Sequence, residues 1–327
     1  MSTNTVYVLG AGFSKAADLP TSTEFFSEEM FDYMKNKFSK YPDAWNKIKK
    51  IQDYVDFRLE KYFQNNIEEI LNHIATAKYL FMESVSDSKG AYSAENIFKN
   101  ILWYITCLIE EKTKDYLDSM PEEYSIFLNH LYKTQSPIIT FNYDLIVEIV
   151  LQSMNKNFQY GLEENTIDNN DQLILKLHGS LNWGNCDKCG PVILGSHITY
   201  DSKSDTCPLC NSKKVSVILI PPVIYKDSYY NDQFFGSLVR ESWSLAQEIL
   251  TNADEIIFIG FSMSEDAYAK ELFKLAFSMN TKDLSCLVIN RTCNKKLQER
   301  YNSILVNNKP KFRSITFTEY VNSRFKQ

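Results

Sequence analysis

A chain of 327 residues, 44% of them hydrophobic, is long enough for one large domain with insertions or for two ordinary domains. Its formal net charge of −6 argues against direct binding of nucleic acid or of an anionic membrane surface. No apolar run approaches the roughly 18 residues of a spanning helix, and the N-terminus lacks a basic region followed by an apolar core. The 7 cysteines are odd in number and include two CxxC pairs, which points to metal ligation in a cytoplasmic protein rather than to a secreted disulfide framework.

In chain order, Thr5-Val-Tyr-Val-Leu9 reads as a strand that stops at the turn Gly10-Ala11-Gly12-Phe13-Ser14. From 22 to 40, Phe25, Phe26, Met30, Phe31 and Met34 recur at helical spacing. Residues 44–135 hold no convincing strand but several amphipathic helices, notably over 63–83 and 94–117, and read as a helical insertion. Strand signals return at 136–141, 172–177, 215–220, 255–259 and 284–289. They are near-continuous apolar runs, as expected of strands buried on both faces of a parallel sheet. Helical patterns at 143–153, 237–252 and 265–278 separate several of them. The pattern predicts an α/β fold, a Rossmann-like doubly wound parallel sheet spanning 1–327 with insertions at 44–135 and 184–216.

Three features carry chemistry. The small residues at 10–12 allow backbone N–H groups to approach a pyrophosphate at a helix N-terminus, although Lys15 breaks the full GxGxxG fingerprint; a tight turn without a ligand reads equally well. Cys186-x-x-Cys189 and Cys207-x-x-Cys210, with Gly190 and Pro208 suited to the turns, predict a zinc ribbon. A closed four-thiolate set leaves no place for water or substrate, so the zinc is expected to be structural. His197 falls inside the ribbon as a loop residue, and Cys107, Cys286 and Cys293 read as core or surface thiols. Finally, Asn142 and Asp144, His178 and Asn290 each follow an expected strand, where ligands of open α/β sheets bind. The alternatives are helix capping by Asn142 or Asp144 and a structural role for His178; His73 and His130 read as structural members of helices.

These pieces in this order resemble the sirtuin-like family, and more closely its divergent prokaryotic branch of NAD-hydrolysing defence proteins. The matching stretches are Gly10-Ala-Gly-Phe-Ser14 with Leu19-Pro20, Thr140-Phe-Asn-Tyr-Asp144, Lys176-Leu-His-Gly-Ser180 with the cysteine quartet after it, Ile259-Gly-Phe-Ser-Met263 and Val288-Ile-Asn290. The resemblance implies that Gly10, Ala11, Gly12 and Ser14 line the phosphates and adjacent ribose of NAD. It implies that Asn142 holds ribose hydroxyls or the attacking water, that Asp144 contacts the nicotinamide carboxamide, that His178 is the base, and that Ser262 and Asn290 bind the adenosine half. The chain departs from the family's deacylases in three places. Asp18-Leu-Pro-Thr-Ser-Thr23 lacks their Phe and Arg, Phe141 stands where they carry Gln, and Ile220-Pro-Pro-Val-Ile-Tyr225 replaces their acyl-peptide cleft sequence.

The expected activity is therefore hydrolysis of NAD to nicotinamide and ADP-ribose in anti-phage defence. The alternatives are a deacylase or ADP-ribosyltransferase, or a non-catalytic NAD or ADP-ribose-binding assembly protein. Because an unregulated NAD hydrolase would drain its own cell, the expectation includes a homo-oligomer and a separate activator, such as an ATPase/helicase or a nucleic-acid-guided sensor. The helical insertion is expected to be either its contact surface or a lid over the crevice.

Overall fold

The computed structural model describes residues 4–58, 66–79, 85–87, 90–162, 170–194, 206–212, 215–221, 235–263, 266–305 and 309–326. Strand β1 (Thr5–Leu9) leads into a single helical turn, α1 (Ala11–Ser14), and a 3-10 turn over Lys15–Ala17. Helices α2 (Glu28–Lys37), α3 (Pro42–Arg58) and α4 (Ile67–Tyr79) follow, then the hairpin β2 (Val85–Asp87) and β3 (Gly90–Tyr92), and then α5 (Ala94–Tyr116) and α6 (Glu122–Thr134). Strand β4 (Ile138–Thr140), α7 (Ile146–Ser153), β5 (Phe158–Gln159) and β6 (Gln172–Lys176) precede β7 (Gly179–Cys186), β8 (Gly190–Ile193) and β9 (Val215–Leu219). The remainder is α8 (Phe235–Thr251), β10 (Glu255–Ile259), α9 (Ala267–Met279), β11 (Ser285–Asn290), α10 (Lys295–Asn302), β12 (Lys311–Ser314) and α11 (Phe317–Phe325).

Seven strands form one parallel sheet in the order β12-β11-β10-β1-β4-β6-β5. The apolar residues alternate between its faces, as the period of two requires. Tyr7, Leu9, Ile138, Ile174, Ile257 and Ile289 enter one core, together with buried residues of α2 to α7 and α11. Val6, Val8, Ile139, Leu175, Ile256 and Val288 enter the other, against α8, α9 and α10. The result is a three-layer Rossmann-like α/β fold. Helices of the expected insertion share the first core with β1, since Ile48, Ile70, Tyr104 and Phe127 belong to the same cluster as Tyr7 and Leu9. Among the described residues no helix is long and apolar enough to cross a membrane.

Chain direction reverses its march across the sheet beside β1. Successive strands first run outward through β4 and β6, then resume on the other side at β10. Such a switch point opens a crevice at the carboxyl ends of the strands. Here it is narrow for a local reason. A Cβ on Gly10 would lie 2.6 Å from Phe261 Cα, and one on Gly12 would lie 2.7 Å from Gly260 Cα. Gly260 itself has φ +61°, and the Gly12 N–H donates to its carbonyl at 2.9 Å. These glycines let the ends of β1 and β10 touch.

Several expectations change. The run at 215–220 is a strand, but β9 pairs antiparallel with β7 in a separate three-stranded sheet, β8-β7-β9. A continuous apolar run signals burial and does not encode the direction of a neighbour. That sheet begins at Gly179, upstream of the boundary expected at 184. The hairpin β2–β3 lies within 44–135, where no strand was expected; its three-residue strands, Val-Ser-Asp and Gly-Ala-Tyr, carry no periodic signal. The edge strands β5 and β12 are similarly short or polar. His197 and residues 222–225 lie outside the described residues.

Candidate functional site

The loop after β4 is locked onto the glycine turn. Asn142 donates through Nδ2 to the Gly10 carbonyl and to Ser14 Oγ, both at 3.0 Å, and Ser14 donates to Asp144 Oδ2 at 2.7 Å. With both amide hydrogens committed, Asn142 keeps Oδ1 as its acceptor. Asp144 Oδ1 accepts from the Ile146 N–H at 3.1 Å, which ties Asp144 to the start of α7, although the N-cap position itself is Leu145. Burial raises the Asp144 carboxyl above its ordinary range, against the opposing pull of Lys176, the Ser14 hydroxyl and the Ile146 N–H. In the glycine turn, the Gly12 and Phe13 N–H groups are taken by the Gly260 and Gly10 carbonyls, so they do not point toward a phosphate.

Beneath this loop lies a buried charge network. Lys176, 1% exposed, meets Glu148 at 3.0 Å and donates to the Asp144 carbonyl. Glu148 also accepts from Tyr160, whose hydroxyl accepts from Asn182. A buried pair held by further hydrogen bonds fixes geometry rather than adding net stability. The network sets the height of the Asn142–Asp144 loop above the sheet.

His178 follows β6 and enters β7. Its carbonyl accepts from the Ile220 N–H at 2.8 Å, and Tyr143 donates to the Ile220 carbonyl at 2.6 Å, so the histidine and the loop are pinned to the same strand end. The imidazole meets the edge of Phe141 at 5.2 Å, and Phe141 stacks on Phe261 at 4.7 Å. Its Nε2 lies 2.8 Å from Oδ2 of Asp266, the residue that caps α9.

All nine residues expected at the nucleotide site border one cleft of about 300 Å³: Gly10, Ala11, Gly12, Ser14, Asn142, Asp144, His178, Ser262 and Asn290. Ile67, Glu68 and Ile109 also border it, so α4 and α5 form part of its wall. A second cleft of about 430 Å³ shares Gly12, Thr21, Gly260 and Asn290 with the first and extends past Lys15, Arg291 and Thr316. Each volume falls within the roughly 300–1,000 Å³ of ligand pockets. Two groups at the site had no sequence signal of their own. Lys176 sat inside an apolar run, and Asp266 sat at a helix start, where an acidic residue usually only caps.

At the far end of β7, Cys186, Cys189, Cys207 and Cys210 bring their sulfurs within 4.8 Å of one another, with Cys186 and Cys210 at 3.6 Å. A tetrahedral zinc with Zn–S near 2.3 Å separates its sulfurs by roughly 3.8 Å, so the four fit one zinc ion. Burial opposes ionisation of Cys207, but the N–H groups of Cys210 and Leu209 donate to its sulfur and bring the thiol down to about 7. β7 is bulged, so that Cys186 lies beside Val215 and His178 beside Ile220, five residues apart on β9; at about 3.3 Å per residue the two are roughly 17 Å apart, and a metal there stays clear of the cleft. Cys107 and Cys286 are buried and Cys293 is half-buried, all apart from this cluster.

A parallel sheet, a switch-point cleft ringed by polar strand ends and an inserted cysteine ribbon define a Rossmann-like α/β protein built to take a ligand at its carboxyl edge. The profile of the SIR2-like domain matches residues 136–304, just over half of the chain, and the chain belongs to that family. No curated protein matches it. Among solved structures, a triple mutant of a Sir2 homologue in complex with 2'-O-acetyl ADP ribose is 14% identical, with a TM-score of 0.50 over 98% of this chain and 90% of that one. That likeness is one of fold. A Sir2 structure with a p53 peptide and NAD+ (16% identity, TM-score 0.46) and one with a propionylated peptide (17%, 0.45) each align over 98% of this chain and 92% of theirs.

Proposed function

We propose that the chain is an NAD glycohydrolase that cleaves the nicotinamide–ribose bond to give nicotinamide and ADP-ribose. The observation that carries this reading is the convergence of Asn142, Asp144 and His178 on one cleft with the glycine turn, in a chain of the SIR2-like family, some of whose solved namesakes hold NAD+. The leaving nicotinamide is activated by its positive ring nitrogen, and the transition state is oxocarbenium-like. The site then has three tasks: to orient the ribose, to exclude bulk water and to place one water. Asn142 Oδ1 receives a ribose hydroxyl or that water, Asp144 meets the carboxamide, and His178 accepts a proton near neutral pH. The adjoining cleft with Asn290, and Ser262 at the rim of the first, takes the adenosine half. The helices walling the cleft, α4 and α5, serve to exclude bulk water from it. The biological role we assign is that of a defence effector, restrained until a separate partner or a change of self-assembly releases it.

The test is nicotinamide release from NAD by the pure protein, with and without an acylated peptide. A hydrolase releases nicotinamide without the peptide; a deacylase of the same fold requires it. Asn142→Ala and His178→Ala are each expected to lower the rate by about 10²–10⁴-fold. Wild-type rates in both variants would refute the assignment.

A further inference from the structure

We propose that Asp266 is a positioning residue for His178. It fixes which ring nitrogen carries the proton and so prepares the imidazole to act as the base in the reaction proposed above, on which this inference rests. The two side chains are 7% and 3% exposed and meet at 2.8 Å, Nε2 to Oδ2. An ionised carboxylate only accepts, so Nε2 must carry the hydrogen, and the lone pair of the neutral ring then lies on Nδ1. Asp266 cannot turn away. Its other oxygen, Oδ1, accepts from the N–H groups of Tyr268 at 3.0 Å and Ala269 at 3.3 Å, at the start of the 13-residue helix α9. A helix N-terminus also favours the negative charge there. Capping needs one oxygen, and the second is directed at the histidine. The ring is confined further by Phe141 at 5.2 Å and Tyr143 at 6.2 Å. The contact joins residues 88 positions apart and ties the base after β6 to the helix after β10.

Asp266→Asn separates positioning from capping. Asparagine caps as well as aspartate, and the two backbone donors keep its carbonyl oxygen turned toward them. Its amide nitrogen must then face His178 and donate to Nε2, which forces the proton onto Nδ1. Long-range proton–nitrogen spectra of the 4 histidines, with His178 assigned by its loss in His178→Gln, read this directly. The wild-type protein is expected to show the Nε2–H form and Asp266→Asn the Nδ1–H form. Imposing the wrong tautomer on a catalytic imidazole lowers turnover by up to about 10⁴-fold, so kcat for nicotinamide release is expected to fall about 10²–10⁴-fold, with KM for NAD and the melting temperature nearly unchanged. A wild-type Nδ1–H form, or a tautomer that does not respond to Asp266→Asn, overturns the proposal. So does an unchanged kcat in Asp266→Asn when His178→Ala is inactive. If His178→Ala instead turns over at the wild-type rate, His178 is not the base of the reaction proposed above, and the tautomer spectra still decide whether Asp266 sets the ring.

Discussion

The cleft and the tip of the cysteine ribbon are held by opposite means. Around the cleft, Ser14, Asn142, Lys176, His178 and Asp266 are each bonded to groups remote in sequence, and two extensive cores lie directly below. The near end of the ribbon shares that support, since Leu181, Trp183 and Ile220 belong to the first core. Its tip does not: the cluster there consists of Cys186, Val192 and Cys207, with Leu194, Cys210 and Val215 beside them. So small a cluster removes too little apolar surface from water to offset the ordering of its chain. A metal supplies what the core lacks, whereas the cleft is rigid because its supports are already folded.

Removing the metal tests that contrast with the largest expected effect. Zinc binding to structural cysteine sites is worth about 10–16 kcal/mol in small peptides. The protein should contain about one zinc per chain, and Cys207→Ser or chelation should abolish amide protection in β8 and around Cys207 while β1, β4 and β10 stay protected. Hydrogen exchange that is unchanged at the tip, or lost across the sheet, would break the comparison. Next in size is Lys176→Met, which strands Glu148 as a buried, unpaired charge. It is expected to cost about 3–5 kcal/mol in urea unfolding, with Lys176→Met/Glu148→Leu recovering most of the loss.

The smallest effect concerns His130, which packs on Phe325 at 4.6 Å. Burial, followed by Arg324 and Lys133, holds its imidazole below the usual value. The unfolded chain therefore binds the proton more readily. The stability that His130 contributes is present above about pH 6.5 and is lost as pH falls through the lower folded value. His130→Gln should slightly flatten the decline of melting temperature below that pH.

The central strands were legible because burial on both faces leaves long apolar runs, as in Glu255–Ile259 and Ser285–Asn290. β9 shows the limit of that signal, because its run is equally apolar but its neighbour β7 runs antiparallel. β12, Lys-Phe-Arg-Ser, pairs through its backbone at an exposed edge and has no pattern to detect. At the site, Asn142 and His178 could be found because polar residues ending apolar runs are conspicuous. Asp266 could not, because its partner is specified by the crossing of two distant strand ends. The glycine turn was legible in position, but its seating against Gly260 was not, since no local motif encodes that contact.

The place of β1 in the sheet bears on synthesis. It lies between β4 and β10, both made after it, with Tyr7 paired to Ile138 and Ile257. A ribosome must therefore extrude everything between β1 and β10 before β1 gains its second neighbour. Pairings this distant along the chain form slowly. The cleft closes on the same event, because Gly10 and Gly12 seat against Gly260 only once β10 has arrived. A nascent polypeptide that stops short of β10 thus has no assembled site, and whatever chemistry the cleft performs stays off until β10 has emerged.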